Sequence, residues 1–287
     1  MKKSILIFSC TFFIFLLVSC NEDIVHNNNS SDNSFTYPYN TNSLWYYTTR
    51  NFITNIRPDS ISRYFETDTS IGYGAATFTK DTIINNDTLK ILTNSHSGGG
   101  HGHSTSEIFK QTDSGLIRIA FYSDGVNFGP TTPQTNSLSY LINNKNFNSL
   151  NEIFFYYKND FKIDNSNDSL LIFDVPPVTA VKYPIVTNTE WILRRDGSTT
   201  FKKKYLDFET VNVQSGSHYC VKIQKVWYMN NSSIPEANLI FYDYFAKEGM
   251  IKRDFLIKDI EITNTSGNTI GYVDAKEEAE LNIYVLP

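Results

Sequence analysis

Apolar residues along most of this chain recur at every second position, and that spacing limits the fold more than any other feature. In Leu116-Ile117-Arg118-Ile119-Ala120-Phe121 one face carries Ile117, Ile119 and Phe121. Near the end, Leu281, Ile283 and Val285 alternate with Glu280, Asn282 and Tyr284. A period of two is the mark of a half-buried strand, because successive side chains leave opposite faces of the backbone. The run 251–257 keeps the rule on Ile251, Phe255 and Ile257, interrupted only by Arg253. Within 221–228 the alternation slips at Lys225, which predicts a bulge. Further strands are expected at 44–52, 89–93, 152–157, 170–175, 190–195, 219–229 and 239–245.

Turn-forming residues stand between these runs: Asn85-Asn86-Asp87, Asp113-Ser114-Gly115, Asp124-Gly125, Asp196-Gly197, Ser215-Gly216 and Ser266-Gly267-Asn268. Asn and Gly tolerate the positive φ that tight hairpins need. No long run with 3.6-residue spacing follows the N-terminal segment. The expected fold is therefore all-β, an extended antiparallel sheet with strands in sequence order, curled into an open barrel or clamshell.

One internal echo stands out. Tyr37-Pro38-x-x-Thr41-Asn42-x-x-Trp45 matches Tyr183-Pro184-x-x-Thr187-Asn188-x-x-Trp191, and it uses two of the chain's three tryptophans. Each copy leads into a strand. Pro starts a strand where no ladder donor is needed, Asn turns the chain, and Trp supplies a large buried anchor. Trp45 and Trp191 are thus expected to be structural anchors of two related halves, about 37–177 and 178–287, meeting near Pro176-Pro177.

The N-terminus carries an address. Met1-Lys2-Lys3 precedes an uncharged apolar run from Ile5 to Val18, a secretory signal pattern. As a helix that run would reach about 21 Å, short of the roughly 30 Å hydrocarbon core. Leu17-Val18-Ser19-Cys20 resembles the lipobox of bacterial lipoproteins, which implies cleavage after residue 19 and lipidation of Cys20. Several acyl chains exceed what stable membrane anchoring needs. The Asn at 21, where an Asp would retain enteric lipoproteins at the inner membrane, implies the outer membrane, on its periplasmic face or the cell surface. Glu22-Asp23 resembles the acidic tag of surface-exposed lipoproteins. Residues 20–36 are Asn/Ser-rich and are expected to be a flexible tether, with a β-rich domain over 37–287.

The two Tyr-Pro…Trp segments, the hairpin Val211-Asn212-Val213-Gln214-Ser215-Gly216 and the closing Phe245-Ala246-Lys247-Glu248-Gly249-Met250-Ile251-Lys252 resemble a group of uncharacterised bacterial envelope lipoproteins. In that group a Pro…Gly…Trp segment recurs; here Asn stands where the group often has Gly. The resemblance implies a β-rich envelope domain and brings no catalytic residues.

Composition narrows the function classes. Formal charge is −5, and loss of Lys2 and Lys3 makes the mature chain more negative. With no basic stripe, nucleic acid is not an expected partner. Of three cysteines, Cys10 leaves with the signal and Cys20 takes lipid, so Cys220 is expected to be a buried, inert thiol. His96, His101 and His103 fall in a Gly/Ser-rich segment with Glu107 beyond. They are the candidate metal ligands, but four glycines make an ordered site costly, so they are expected to point outward from an exposed, mobile loop, without metal. Trp45-Tyr46-Tyr47, Phe154-Phe155-Tyr156-Tyr157 and Phe241–Phe245 are aromatic runs suited to stacking on sugars or lining a lipid pocket, and equally to a β core. Lys202-Lys203-Lys204 is expected at a solvated turn or edge strand. No phosphate loop, dinucleotide fingerprint or nucleophile elbow is present. The expected role is non-enzymatic and needs no cofactor: a lipid-anchored envelope protein holding an apolar ligand or a protein partner in a concave sheet. The alternatives are a metal-dependent enzyme built on His96, His101 and His103, and a glycan-binding module using exposed aromatics.

Overall fold

Alternation of this kind can bury an apolar face only if the strands pair and the sheet closes around it. The computed structural model describes residues 35–65, 70–98, 101–123, 138–158 and 170–287. The signal, Cys20, most of the tether and Asp124-Gly125 lie outside the described residues. The strands are β1 (Leu44–Arg57), β2 (Ser70–Ile84), β3 (Asp87–Gly98), β4 (His101–Thr112), β5 (Gly115–Ser123), β6 (Ser139–Ile142), β7 (Lys145–Phe147), β8 (Leu170–Lys182), β9 (Glu190–Asp196), β10 (Thr199–Val213), β11 (Gly216–Tyr228), β12 (Leu239–Ala246), β13 (Gly249–Thr263) and β14 (Thr269–Val285). Among the described residues one α-helix, α1 (Leu150–Lys158), falls between β7 and β8, and a 3-10 helix, Asp59–Tyr64, follows β1.

The sheet is antiparallel throughout, in the order β8-β5-β4-β3-β2-β1-β14-β13-β12-β11-β10-β9, with β6 and β7 branching off β13. Hairpins join most neighbours, β5 and β8 being separated in the chain by β6, β7 and α1, and β1 meets β14, so the first and last strands close the middle. The two ends of the path, β8 and β9, share no ladder, yet side chains cross the seam. The Trp191 indole N–H donates to Thr179 O at 2.9 Å, Lys203 Nζ to Ala180 O at 3.0 Å, and Tyr205 Oη both donates to Lys182 O at 2.6 Å and accepts from Lys182 N at 3.0 Å. The result is a nearly closed barrel with one unsealed seam.

The echoed segments adopt the same local structure. Asn42 and Asn188 have φ of 71° and 65°. Their amides donate to Phe78 O and Tyr205 O, each at 2.8 Å. Trp45 and Trp191, each the second residue of its strand, are buried against Phe78 and Tyr205. The two copies touch, the Tyr37 amide donating to Tyr183 Oη at 2.7 Å. Pro176-Pro177 lies inside β8.

Two apolar cores fill the barrel. One gathers Trp45, Phe78, Tyr205, Ile251 and Leu281; the other gathers Phe255, Ile260, Trp227 and the buried face of α1. Most long strands contribute to both, so the cores occupy opposite ends.

Four expectations are corrected. Residues 150–158 are helix, not strand. Ser149 Oγ accepts the Glu152 amide and the Glu152 carboxylate accepts the Asn148 amide, a reciprocal cap that starts the helix. Lys225 causes no slip: Ile223, Lys225 and Trp227 all point inward, and the irregularity lies in β10 between Tyr205 and Phe208. Lys202–Lys204 lie inside β10, with Lys203 buried. The His-rich segment is a hairpin of β3 and β4 that pairs His96 with His103 and Gly98 with His101.

Candidate functional site

Between the two cores a polar waist lines a half-open cavity of about 320 Å³. The space exists because β2 turns small residues inward: Gly72 and Ala76 are buried, with Gly74 between them. Opposite, Ala275 and Ala279 flank Glu277 on β14. Leu92, Phe109, Leu116, Val181 and Phe245 give the cavity an apolar wall.

The remaining wall is charged. Arg253 Nε donates to Asp243 Oδ1 at 2.7 Å, the two residues being directly paired across β12 and β13. Lys158, at the end of α1, reaches both carboxylate oxygens of Glu277 at 2.8 Å. Arg118 bridges Glu107 at 2.7 Å and Asp174 at 2.8 Å. Lys203 and Lys225 face each other in register, Lys203 donating to Ala180 O and Lys225 to Tyr157 O. Lys225 also lies over the Trp227 and Phe241 rings, 5.1 and 5.6 Å from their centroids. Burial pushes the Glu277 carboxyl upward, but Lys158, Arg253 and His96 outweigh it and hold it below the usual range. Burial opposes the Arg253 charge, which Asp243 more than restores. Replacing a buried ion pair with apolar residues is often neutral or stabilising, so a belt of such pairs is weak evidence of a stability device.

A neutral polar cluster adjoins the belt. Thr49 is 8 % exposed and its hydroxyl has no hydrogen-bond partner, although it lines the cavity. His96, half-buried on β3, lines the same cavity rather than pointing to solvent as expected. Burial, then Lys158, keep its imidazole pKa low. Thr49 on β1 and His96 on β3 both lean over Gly72 of β2, which has no side chain to separate them. A Cβ there would sit 2.7 Å from Thr49 Oγ1 and 3.1 Å from His96 Nε2. Asn51, paired with Glu277 in the β1–β14 register, also has a buried, unpartnered Oδ1.

Among the described residues no group of three or more His, Cys, Asp and Glu is placed to hold a metal ion; the His101 and His103 side chains lie outside them. The aromatic runs turn largely inward: Trp45, Tyr47, Phe154, Phe155, Tyr157, Phe241, Tyr244 and Phe245 are buried, while Tyr46 is exposed. Cys220 is fully buried, and burial pushes its thiol pKa up to about 12.

A second constellation sits at the β10–β11 turn. Ser215 Oγ is 3.0 Å from His218 Nε2, and His218 Nδ1 is 3.5 Å from Glu248 Oε2. The order is nucleophile, base, carboxylate. The second gap is long for a hydrogen bond, however, and the Ser215 amide donates to Leu281 O at 3.2 Å, leaving no donor there for an oxyanion. The trio braces two hairpin turns against β14.

The sequence marked Arg253 and Lys225 as positions where charge replaces an expected core residue, and singled out His96 and Glu107 as candidate metal ligands and Lys203 as part of a basic run, without bringing them together. Thr49 gave no signal.

No family model matches this sequence, and no curated protein matches it. Two solved structures are similar. One is a candidate exported protein with a YmcC-like fold from Bacteroides fragilis, 9 % identical, covering 88 % of this chain and 99 % of that chain with a TM-score of 0.35. The other is a candidate lipoprotein from Parabacteroides distasonis, 7 % identical, covering 88 % of this chain and 99 % of that chain with a TM-score of 0.32. At such scores neither likeness identifies a family or a ligand.

Proposed function

We propose that this chain is a lipid-anchored envelope protein, held through Cys20 at the outer membrane, that takes a small amphipathic molecule into the waist of its barrel. The observation that carries the reading is the cavity itself. Its volume of about 320 Å³ is at the lower end of small-molecule sites. Its wall is part apolar and part charged, and Thr49 aims an unsatisfied hydroxyl into it. A purely structural core would fill this space with apolar side chains. Gly72, Gly74, Ala76 and Ala279 instead leave it open.

Gly74 provides the test. A Cβ there would meet only Ser95 O at 3.6 Å and Tyr47 Cβ at 3.8 Å, ordinary contacts. Gly74→Leu should therefore fold and fill the cavity with its isobutyl group. Organic extraction of the purified protein followed by mass spectrometry should find a co-purifying small molecule in the parent and not in the variant. Equal extracts from both proteins would sink the proposal.

A further inference from the structure

We propose that the outer face of the barrel at the start of β1 and the end of β14 lies against the bilayer, with Leu44, Tyr46, Ile283 and Val285 set into the lipid headgroup layer. The inference rests on the lipid-anchor part of the reading above and is independent of the interior cavity.

A bulge creates this face. Leu281, Ile283 and Val285 alternate without interruption in the sequence, so a regular strand would turn all three inward. In the β1–β14 ladder, however, Tyr47 pairs with Leu281 and Tyr46 with Ile283, which leaves Asn282 as an extra residue. Its Nδ2 donates to Thr48 Oγ1 at 2.6 Å. One extra residue reverses the alternation beyond it. Leu281 stays fully buried, whereas Ile283 is 59 % exposed and Val285 52 %. The register sets them beside two outward residues of β1, with Tyr46 opposite Ile283 and Leu44 opposite Val285. Tyr46 is exposed, and so is Tyr73, diagonal to it on β2. None of these side chains is charged. The rows beyond hold the Arg50–Glu280 ion pair at 2.8 Å, which gives the patch a polar border.

Exposed apolar side chains grouped inside a polar border mark a partner or membrane surface. The tether decides which. Phe35 packs on the core around Trp45, and the Tyr37 amide donates to Tyr183 Oη. Residues 35–43 thus hold the chain at the end of the barrel where β1 begins and β14 ends, the end that carries the patch. Fifteen residues, 21–35, lie between Cys20 and the body of the barrel. A coil of that length has a root-mean-square span of about 20 Å. The bilayer that takes the acyl chains is therefore the surface this end meets first, and tethering makes even a weak contact intramolecular. Tyrosine, with an apolar ring and a polar tip, suits the boundary between headgroups and acyl chains.

The test places one fluorophore at each end of the barrel. Ile283→Cys, in the patch, and Ile234→Cys, in the exposed loop between β11 and β12 at the opposite end, are each labelled with NBD in the lipidated chain. Cys220 is buried and does not compete for the label. Each protein is reconstituted into phosphatidylcholine vesicles with and without a doxyl-labelled lipid. The label at 283 should lose about half of its emission to the quencher, because an interfacial side chain sits within roughly 5–10 Å of the headgroup boundary. The label at 234 should lose almost none. Adding Tyr46→Ser and Val285→Ser should bring quenching at 283 down to the level at 234 while the protein stays on the vesicles. Vesicle-bound protein with no excess quenching at 283, or with quenching unchanged by the two serines, overturns the docking and leaves the anchor standing. Shielding at 283 that rises with protein concentration and does not respond to the quencher assigns the face to a second copy and overturns the bilayer as its partner. Protein that fails to float with the vesicles overturns the anchor and the docking together.

Discussion

Removing Arg253 separates stability from function most sharply. The Asp243 side chain is 3 % exposed, and Arg253 Nε is its charged partner at 2.7 Å. Arg253→Met keeps most of the aliphatic stem and strands a buried carboxylate. Breaking a buried pair from one side costs about 3–5 kcal/mol. In a domain of this size each kcal/mol moves the melting temperature by about 2–4 °C, so a fall of roughly 6–20 °C is expected. The double variant Asp243→Leu, Arg253→Met removes both charges. It should melt within a few degrees of the parent or above it, because neither desolvation penalty is then incurred. Thermal unfolding followed by circular dichroism reads both. A double variant as unstable as the single one would show that the pair is a net structural asset, and the argument that the charged waist is kept for a ligand would lose its footing.

Three further outcomes are expected. Trp45→Ala and Trp191→Ala should each cost about 3–5 kcal/mol, measured by urea unfolding; a loss under 1 kcal/mol at either would contradict the anchoring role of that fully or nearly buried indole. The native imidazole of His96 titrates below its ordinary value, so just below pH 6.5 the unfolded chain binds a proton that the folded chain refuses, and stability falls as pH drops through that window. Glu277 adds a second loss at lower pH, as its depressed native pKa is crossed. His96→Gln should flatten the stability profile in the upper window only, and an unchanged profile between pH 5 and 6.5 would refute this. Cys20→Ala should leave the protein unprocessed or move it from membranes to the soluble fraction; normal incorporation of labelled palmitate would dismiss the anchor.

Much of the architecture was legible because strands announce themselves locally. The strands expected at 44–52, 116–121, 190–195, 239–245 and 281–285 all lie within β1, β5, β9, β12 and β14. Asn85, Asn86 and Gly197 turn the chain with positive φ as expected. The misses share a cause. β4 is rich in Gly, Ser and His, and β10 carries three consecutive lysines, so neither advertises an apolar face; their pairing with β3, β5, β9 and β11 holds them in the sheet regardless. The helix at 150–158 had a signal, the Ser149-x-x-Glu152 cap, hidden by the four aromatics that follow it.

The sequence by itself determined the strand class, the turn positions and the local form of the two Trp segments, since each depends on side-chain alternation or backbone preference within a few residues. The tertiary structure alone decided where the barrel leaves room and what faces it. Thr49 and His96 are 47 residues apart and converge over Gly72 because the β1–β2–β3 register sets Thr49 opposite Gly72 and His96 opposite the next inward residue, Gly74. Lys158 reaches Glu277 across 119 residues. Such contacts depend on which strands become neighbours and on how the sheet curls, and no local pattern encodes either.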